Sequence, residues 1–127
     1  MPLVRIDLRK GTNAAYRTSL SNGVHQALVE AIGIPVKDRF HVITERDVDG
    51  LLYDNSYLDI PRTNNIVMVQ VTMSRGRTLE QKRMIYKRMA EILEQKPGLR
   101  PQDLFVNLVE VEKENWSFGN GEAQYAK

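Results

Sequence analysis

Residues 33–45, GIPVKDRFHVITE, align without a gap on residues 98–110, GLRPQDLFVNLVE. The offset of 65 sets Gly33 on Gly98, Asp38 on Asp103, Phe40 on Phe105 and Glu45 on Glu110. Self-similarity at a fixed spacing marks a repeated structural unit. Carried upstream, the same offset sets Val4, Ile6 and Leu8 on Val69, Val71 and Met73, and Gly11 on Gly76. Leu20, Val24, Ala27 and Leu28 then fall on Ile85, Met89, Ile92 and Leu93. The chain is therefore read as one domain, 1–127, with pseudo-repeats at about 2–45 and 67–110 and an unrepeated tail, 112–127.

Each half has the pattern strand, helix, strand. Val4, Ile6 and Leu8 alternate with Arg5 and Asp7, the period of a strand with one buried face. Ile66 to Val71 is apolar except for Gln70, as in a more fully covered strand. Leu20, Val24, Ala27, Leu28 and Ala31 recur at helical spacing, with Gly33 as the stop and Pro35 beyond it. Thr78-Leu79-Glu80-Gln81 is a capping box, followed by the stripe Ile85, Met89, Ile92 and Leu93 up to Lys96-Pro97-Gly98. Phe40 to Thr44 and Leu104 to Val111 are the returning strands, so each half is a right-handed βαβ unit with a parallel pair. The linker 47–65 is rich in Asp, Asn and Gly and is expected to form a long turn or a hairpin.

Composition narrows the function classes. The chain of 127 residues is 42% hydrophobic, enough for a core without cross-links. It has no cysteine, which excludes disulfides, thiolate metal sites and a cysteine nucleophile. Two histidines, His25 and His41, are too few for a histidine-rich metal centre, and they receive no role. No apolar run approaches the ~18 residues that span a bilayer. Charges at Arg5 and Asp7 interrupt what a signal peptide would need, so no membrane partner and a cytoplasmic location are expected. A net charge of +2 is too small to argue for nucleic acid. Lys82, Arg83, Lys87 and Arg88 lie opposite the apolar stripe and are expected to be a solvated helix face.

Duplication also separates scaffold from function, because positions that differ chemically between the halves are the candidates for chemistry. Asp38 is repeated as Asp103, and the residues alone make it a turn aspartate that bonds nearby backbone N–H groups. The first half has Arg9-Lys10-Gly11-Thr12 after its opening strand, where the second has Ser74-Arg75-Gly76-Arg77-Thr78. Arg75 and Arg77 thus precede a capped helix, whose N-terminus attracts anions, and guanidinium groups bind carboxylates bidentately. A solvated turn accounts for two arginines equally well. Pro2 falls on Val67. Removal of Met1 before a small residue would expose a secondary amine, and α-amino groups titrate at about 7.7–8.0. Such an amine serves as a base when neutral and as an acid when charged. If the halves pair about a pseudo-two-fold axis, their first strands run antiparallel and Pro2 meets the end of the strand that leads into Arg75 and Arg77.

This constellation resembles the tautomerase superfamily, and within it the malonate semialdehyde decarboxylase-like branch. The resemblance rests on Met1-Pro2-Leu3-Val4-Arg5-Ile6-Asp7-Leu8, Pro35-Val36-Lys37-Asp38-Arg39-Phe40, and Arg75-Gly76-Arg77-Thr78-Leu79-Glu80-Gln81-Lys82. The tail Glu114-Asn115-Trp116-Ser117-Phe118-Gly119-Asn120-Gly121 carries the branch's WSFG motif. The resemblance implies an α/β (α+β) fold of tandem βαβ units, with a four-stranded mixed sheet, two helices on one face, and a homotrimer. It implies a catalytic Pro2, an aspartate at Asp38 that interacts with water or the proline, carboxylate-binding Arg75 and Arg77, and an aromatic wall at Trp116 and Phe118. Tyr125 stands where the decarboxylase has phenylalanine, and the chain stops at Lys127, so a more open and polar pocket is expected. The implied activity is tautomerisation (an isomerase) or decarboxylation (a lyase) of a small anionic oxo acid without metal or organic cofactor. A non-catalytic binding or signalling oligomer on the same fold is the alternative.

Overall fold

The computed structural model describes residues 2–126. Met1, whose removal would free the Pro2 amine, and Lys127 lie outside the described residues. The elements are β1 (Leu3–Arg9), α1 (Ala14–Ile32), β2 (Phe40–Arg46), β3 (Val67–Ser74), α2 (Leu79–Gln95) and β4 (Leu104–Val111). They form one sheet in the order β2-β1-β3-β4. β1 pairs parallel with β2, and β3 parallel with β4. The two halves join through antiparallel β1 and β3, with Ile6 opposite Val69. The fold is the tandem βαβ arrangement expected, with a mixed sheet and both helices on one face.

The repeat holds at the level of single contacts. The Asn13 side chain caps α1 by accepting from the Tyr16 N–H at 2.8 Å, and Thr78 caps α2 by accepting from the Gln81 N–H at 3.1 Å. Gly11 and Gly76 take φ of 118° and 123°, a conformation that a Cβ would strain. The Lys10 N–H donates to the Arg46 carbonyl at 2.9 Å, as the Arg75 N–H does to Val111 at 2.8 Å. Arg17 pairs with Glu45 at 3.3 Å, and Lys82 with Glu110 at 2.9 Å. Lys10 pairs with Asp47 at 2.9 Å, and Arg75 with Glu112 at 2.7 Å. Each contact recurs at the 65-residue offset, so these contacts belong to the scaffold.

Strand alternation sends Val4, Ile6, Leu8, Val67, Val69, Val71 and Met73 under the helices, all buried. Leu20, Val24 and Leu28 of α1 and Ile85, Met89 and Leu93 of α2 close over them. Arg5 and Gln70 face the other way, with exposed Phe40, Val42 and Phe105 on the same open face. Gly23 sits where α1 meets α2: a Cβ there would lie 2.5 Å from Leu93 Cδ2 and 3.2 Å from Ile92 Cγ2. Because Leu93 is fully buried, it has little room to yield. Gly23→Val is expected to destabilise the fold by about 1–3 kcal/mol through overpacking, read from the urea midpoint.

The linker 47–65 differs from one of its expected forms. It contains no strand and so no hairpin, only short 3₁₀ turns at Val48–Gly50 and Tyr57–Asp59. A hairpin needs two alternating runs, and the tertiary structure supplies a different anchor. Asp103, fully buried, accepts from the Thr63 N–H at 2.7 Å and the Thr63 hydroxyl at 2.6 Å, pinning the linker's end. Two of the four basic residues on α2 are ion-paired across the fold, Lys82 with Glu110 and Arg88 with Glu30 at 3.0 Å. Among the described residues, no helix is long and apolar enough to cross a membrane.

Candidate active site

Leu3 lies beside Phe40, where β2 begins, and opposite Thr72, near the end of β3. Pro2, which precedes it and is buried, therefore sits at the sheet end where the 33–39 turn enters and the Ser74–Thr78 turn leaves. A cavity of about 610 Å³ at this end is lined by Gly33, Ile34, Pro35, Asp38, Arg77, Lys113, Gln124 and Tyr125. Asp38, Arg77 and Tyr125 thus share one cavity. Arg77 is half-buried, and its Nε is buried with no hydrogen-bond partner among the described residues. A buried unsatisfied donor is costly, and an anionic ligand is one way to satisfy it.

Arg75 has a different setting. Its side chain is 62% exposed, does not line the cavity, and donates from Nε to Glu112 Oε1. This hydrogen bond and the Glu112 charge raise its pKa further above the usual arginine value. The offset counterpart Lys10–Asp47 makes the same exposed pair.

The tail folds back onto this end of the sheet. Trp116 and Phe118 stack with centroids 5.5 Å apart, and Tyr125 meets the Phe118 ring edge-on at 4.8 Å. Phe40 lies 6.1 Å from Phe118, so the first residue of β2 joins the aromatic cluster. Trp116 Nε1 donates to the hydroxyl of Ser74, a buried polar residue at the end of β3. Gln124 closes the tail on itself, accepting from the Phe118 N–H and donating to the Gly119 carbonyl, both at 2.9 Å. Aromatic pairs at these separations favour a fixed mutual orientation.

Sequence reasoning missed Ser74, Lys113, Gln124 and both histidines. Gln124 and Lys113 belong to the unrepeated tail, where no periodicity points inward. His25, buried on α1, donates from Nε2 to the Val36 carbonyl at 2.7 Å and so tethers the turn that carries Asp38. His41 shares a 2.7 Å hydrogen bond through Nδ1 with Ser21, while its Nε2 is buried without a partner. Burial, with the charges of Arg39 and His25 adding, pushes the His41 pKa down to about 4 from 6.5. Between those values the unfolded chain binds the extra proton, so stability is complete above pH 6.5 and falls as the pH drops toward 4. The urea midpoint is expected to fall between pH 7 and 5, and His41→Gln to flatten that fall.

Comparison with known proteins agrees with the fold. Two family models described as "Tautomerase enzyme" match, one over residues 38–119 and one over residues 2–55. The probable tautomerase YusQ of Bacillus subtilis (strain 168) is 37% identical over 98% of both chains. The probable tautomerase YrdN of the same strain is 37% identical over 98% of this chain and 96% of its own. A crystal structure of malonate semialdehyde decarboxylase, described for its decarboxylase and hydratase activities, superposes with a TM-score of 0.92 at 33% identity. It covers 97% of this chain and 95% of that one. A fused 4-OT symmetric trimer, at 21% identity and a TM-score of 0.78, shares the fold over 97% of each chain. The duplicated βαβ fold, the family matches and these relatives together make the chain a tautomerase superfamily member of the malonate semialdehyde decarboxylase-like branch.

Proposed function

We propose that the amine of Pro2, freed of Met1, acts on a small oxo-carboxylate held by Arg77. The observation that carries this reading is the β1–β3 register, Leu3 opposite Thr72, beside a cavity lined by Asp38 and Arg77. The unpartnered Nε of Arg77 supports carboxylate binding, since a charge-assisted hydrogen bond would satisfy it. As the substrate's carbonyl oxygen gains enolate charge, that attraction grows, which is the condition for catalysis rather than binding alone.

Two reactions follow from the protonation state of Pro2. A neutral Pro2 takes the enol hydroxyl proton and returns it to carbon, giving keto–enol tautomerisation. A cationic Pro2 hydrogen-bonds the carbonyl oxygen of a 3-oxo acid such as malonate semialdehyde. The bond between the α-carbon and the carboxyl group then breaks, its electron pair forms the enolate, and carbon dioxide leaves. Asp38 would keep the amine charged or position water, and Arg75 would lend positive potential from the rim. Trp116 and Phe118, with Tyr125, would exclude solvent. The open sheet face carrying Phe40, Val42 and Phe105, together with the trimeric fold neighbour, supports a homotrimer.

Titrating ¹⁵N-labelled Pro2 by NMR tests the choice between the reactions. A pKa well below 7 selects the base and tautomerisation, whereas one above about 8, the upper end for ordinary α-amino groups, selects the acid and decarboxylation. An N-terminus that retains Met1 has no proline amine and refutes both, leaving a binding oligomer.

A further inference from the structure

A second cavity, of about 250 Å³, lies at the opposite end of the β1–β3 pair. Its lining residues Gly98, Leu99, Arg100 and Asp103 stand at the 65-residue offset from Gly33, Ile34, Pro35 and Asp38, which line the first cavity. Thr12 stands at the offset from Arg77. The cavity is therefore the pseudo-two-fold image of the candidate active site, produced by the same duplication.

The image has exchanged its chemistry. Val67 replaces the proline, so there is no amine, and Thr12 replaces the arginine. Two new arginines enter instead: Arg9 in place of Ser74 and Arg100 in place of Pro35. Lys10 also lines the cavity, paired with Asp47 outside the lining, and Asp103 is the one acidic residue among the lining. That carboxylate is engaged by Thr63 and lies 3.6 Å from Arg100. Arg9 donates to neutral oxygens, Asn64 Oδ1 at 2.7 Å and the Leu51 carbonyl at 3.2 Å, and lies over the Tyr53 ring. Its Nε is buried with no partner, as is that of Arg77 in the first cavity. An arginine oriented by neutral oxygens keeps its charge available to an anion.

We infer that this cavity is a second binding site for small carboxylates, held by Arg9 and Arg100, which binds without turnover because Val67 supplies no amine. The inference does not depend on the reaction proposed at Pro2.

The test is backbone-amide NMR of the intact oligomer carrying Arg77→Ala, which blunts the first cavity, titrated with malonate and separately with inorganic phosphate. Malonate is expected to shift the amides of 10–12 and 98–103 saturably. Arg100→Gln should weaken half-saturation by about tenfold, the effect of one charge-assisted hydrogen bond. Arg9→Gln, accepted only with a native amide spectrum, should do the same. The inference is overturned if malonate leaves those amides unmoved or Arg100→Gln leaves half-saturation unchanged. Saturation by phosphate but not malonate also overturns it, and would indicate a phosphate site.

Discussion

Pro2→Ala is expected to lower turnover of a phenylpyruvate-type enol by a factor on the order of 10²–10⁴, the range for losing a positioned acid–base group. The substitution keeps a terminal amine, so the loss comes from positioning. The proline ring fixes the torsion at its own nitrogen and is buried at the sheet end, which aims the lone pair. Alanine's primary amine turns freely about its bond to Cα and spreads over several directions. Native oligomer size and an unchanged urea midpoint would show that the fold survives, since the core lies further along β1, at Val4, Ile6 and Leu8. Normal turnover in Pro2→Ala would refute the assignment.

Arg77→Ala should lower kcat/KM by about 10²–10³, comparable to losing one donor aimed at a developing oxyanion. Arg75→Ala should cost less than about tenfold, because Arg75 lies outside the cavity and Glu112 partly offsets its charge. Stability should respond in the opposite order. Removing Arg77 deletes an unsatisfied buried Nε, whereas removing Arg75 breaks an ion pair that the fold uses twice. Equal kinetic losses in the two variants would show that both guanidinium groups reach the substrate.

The duplication, both caps, the strand pairs and the single apolar face were legible because they depend on local period and composition. Gly33 ends α1 and Thr78 starts α2 as their chemistry requires. The linker was less legible: its aspartates, asparagines and glycine announce a turn but carry no information about Asp103, 40 residues away from Thr63. The comparison of halves singled out 74–77 as the place where they differ, yet it could not tell which of the two arginines lines the cavity.

The sequence by itself determined that this chain is two βαβ units in a 65-residue register, with Pro2 at the start of one unit and Val67 at the matching place in the other. Only the tertiary structure decided which cation faces the cavity. Arg75 and Arg77 have the same chemistry two residues apart, and the difference lies in Glu112, brought beside Arg75 by the parallel pairing of β3 and β4. The same holds for Trp116 on Ser74, and for His25 on the turn before Asp38. Hydrophobic periodicity acts over a few residues and can be read along the chain. The environment of a single charge is set by long-range pairing and burial, which exist only once the chain has folded.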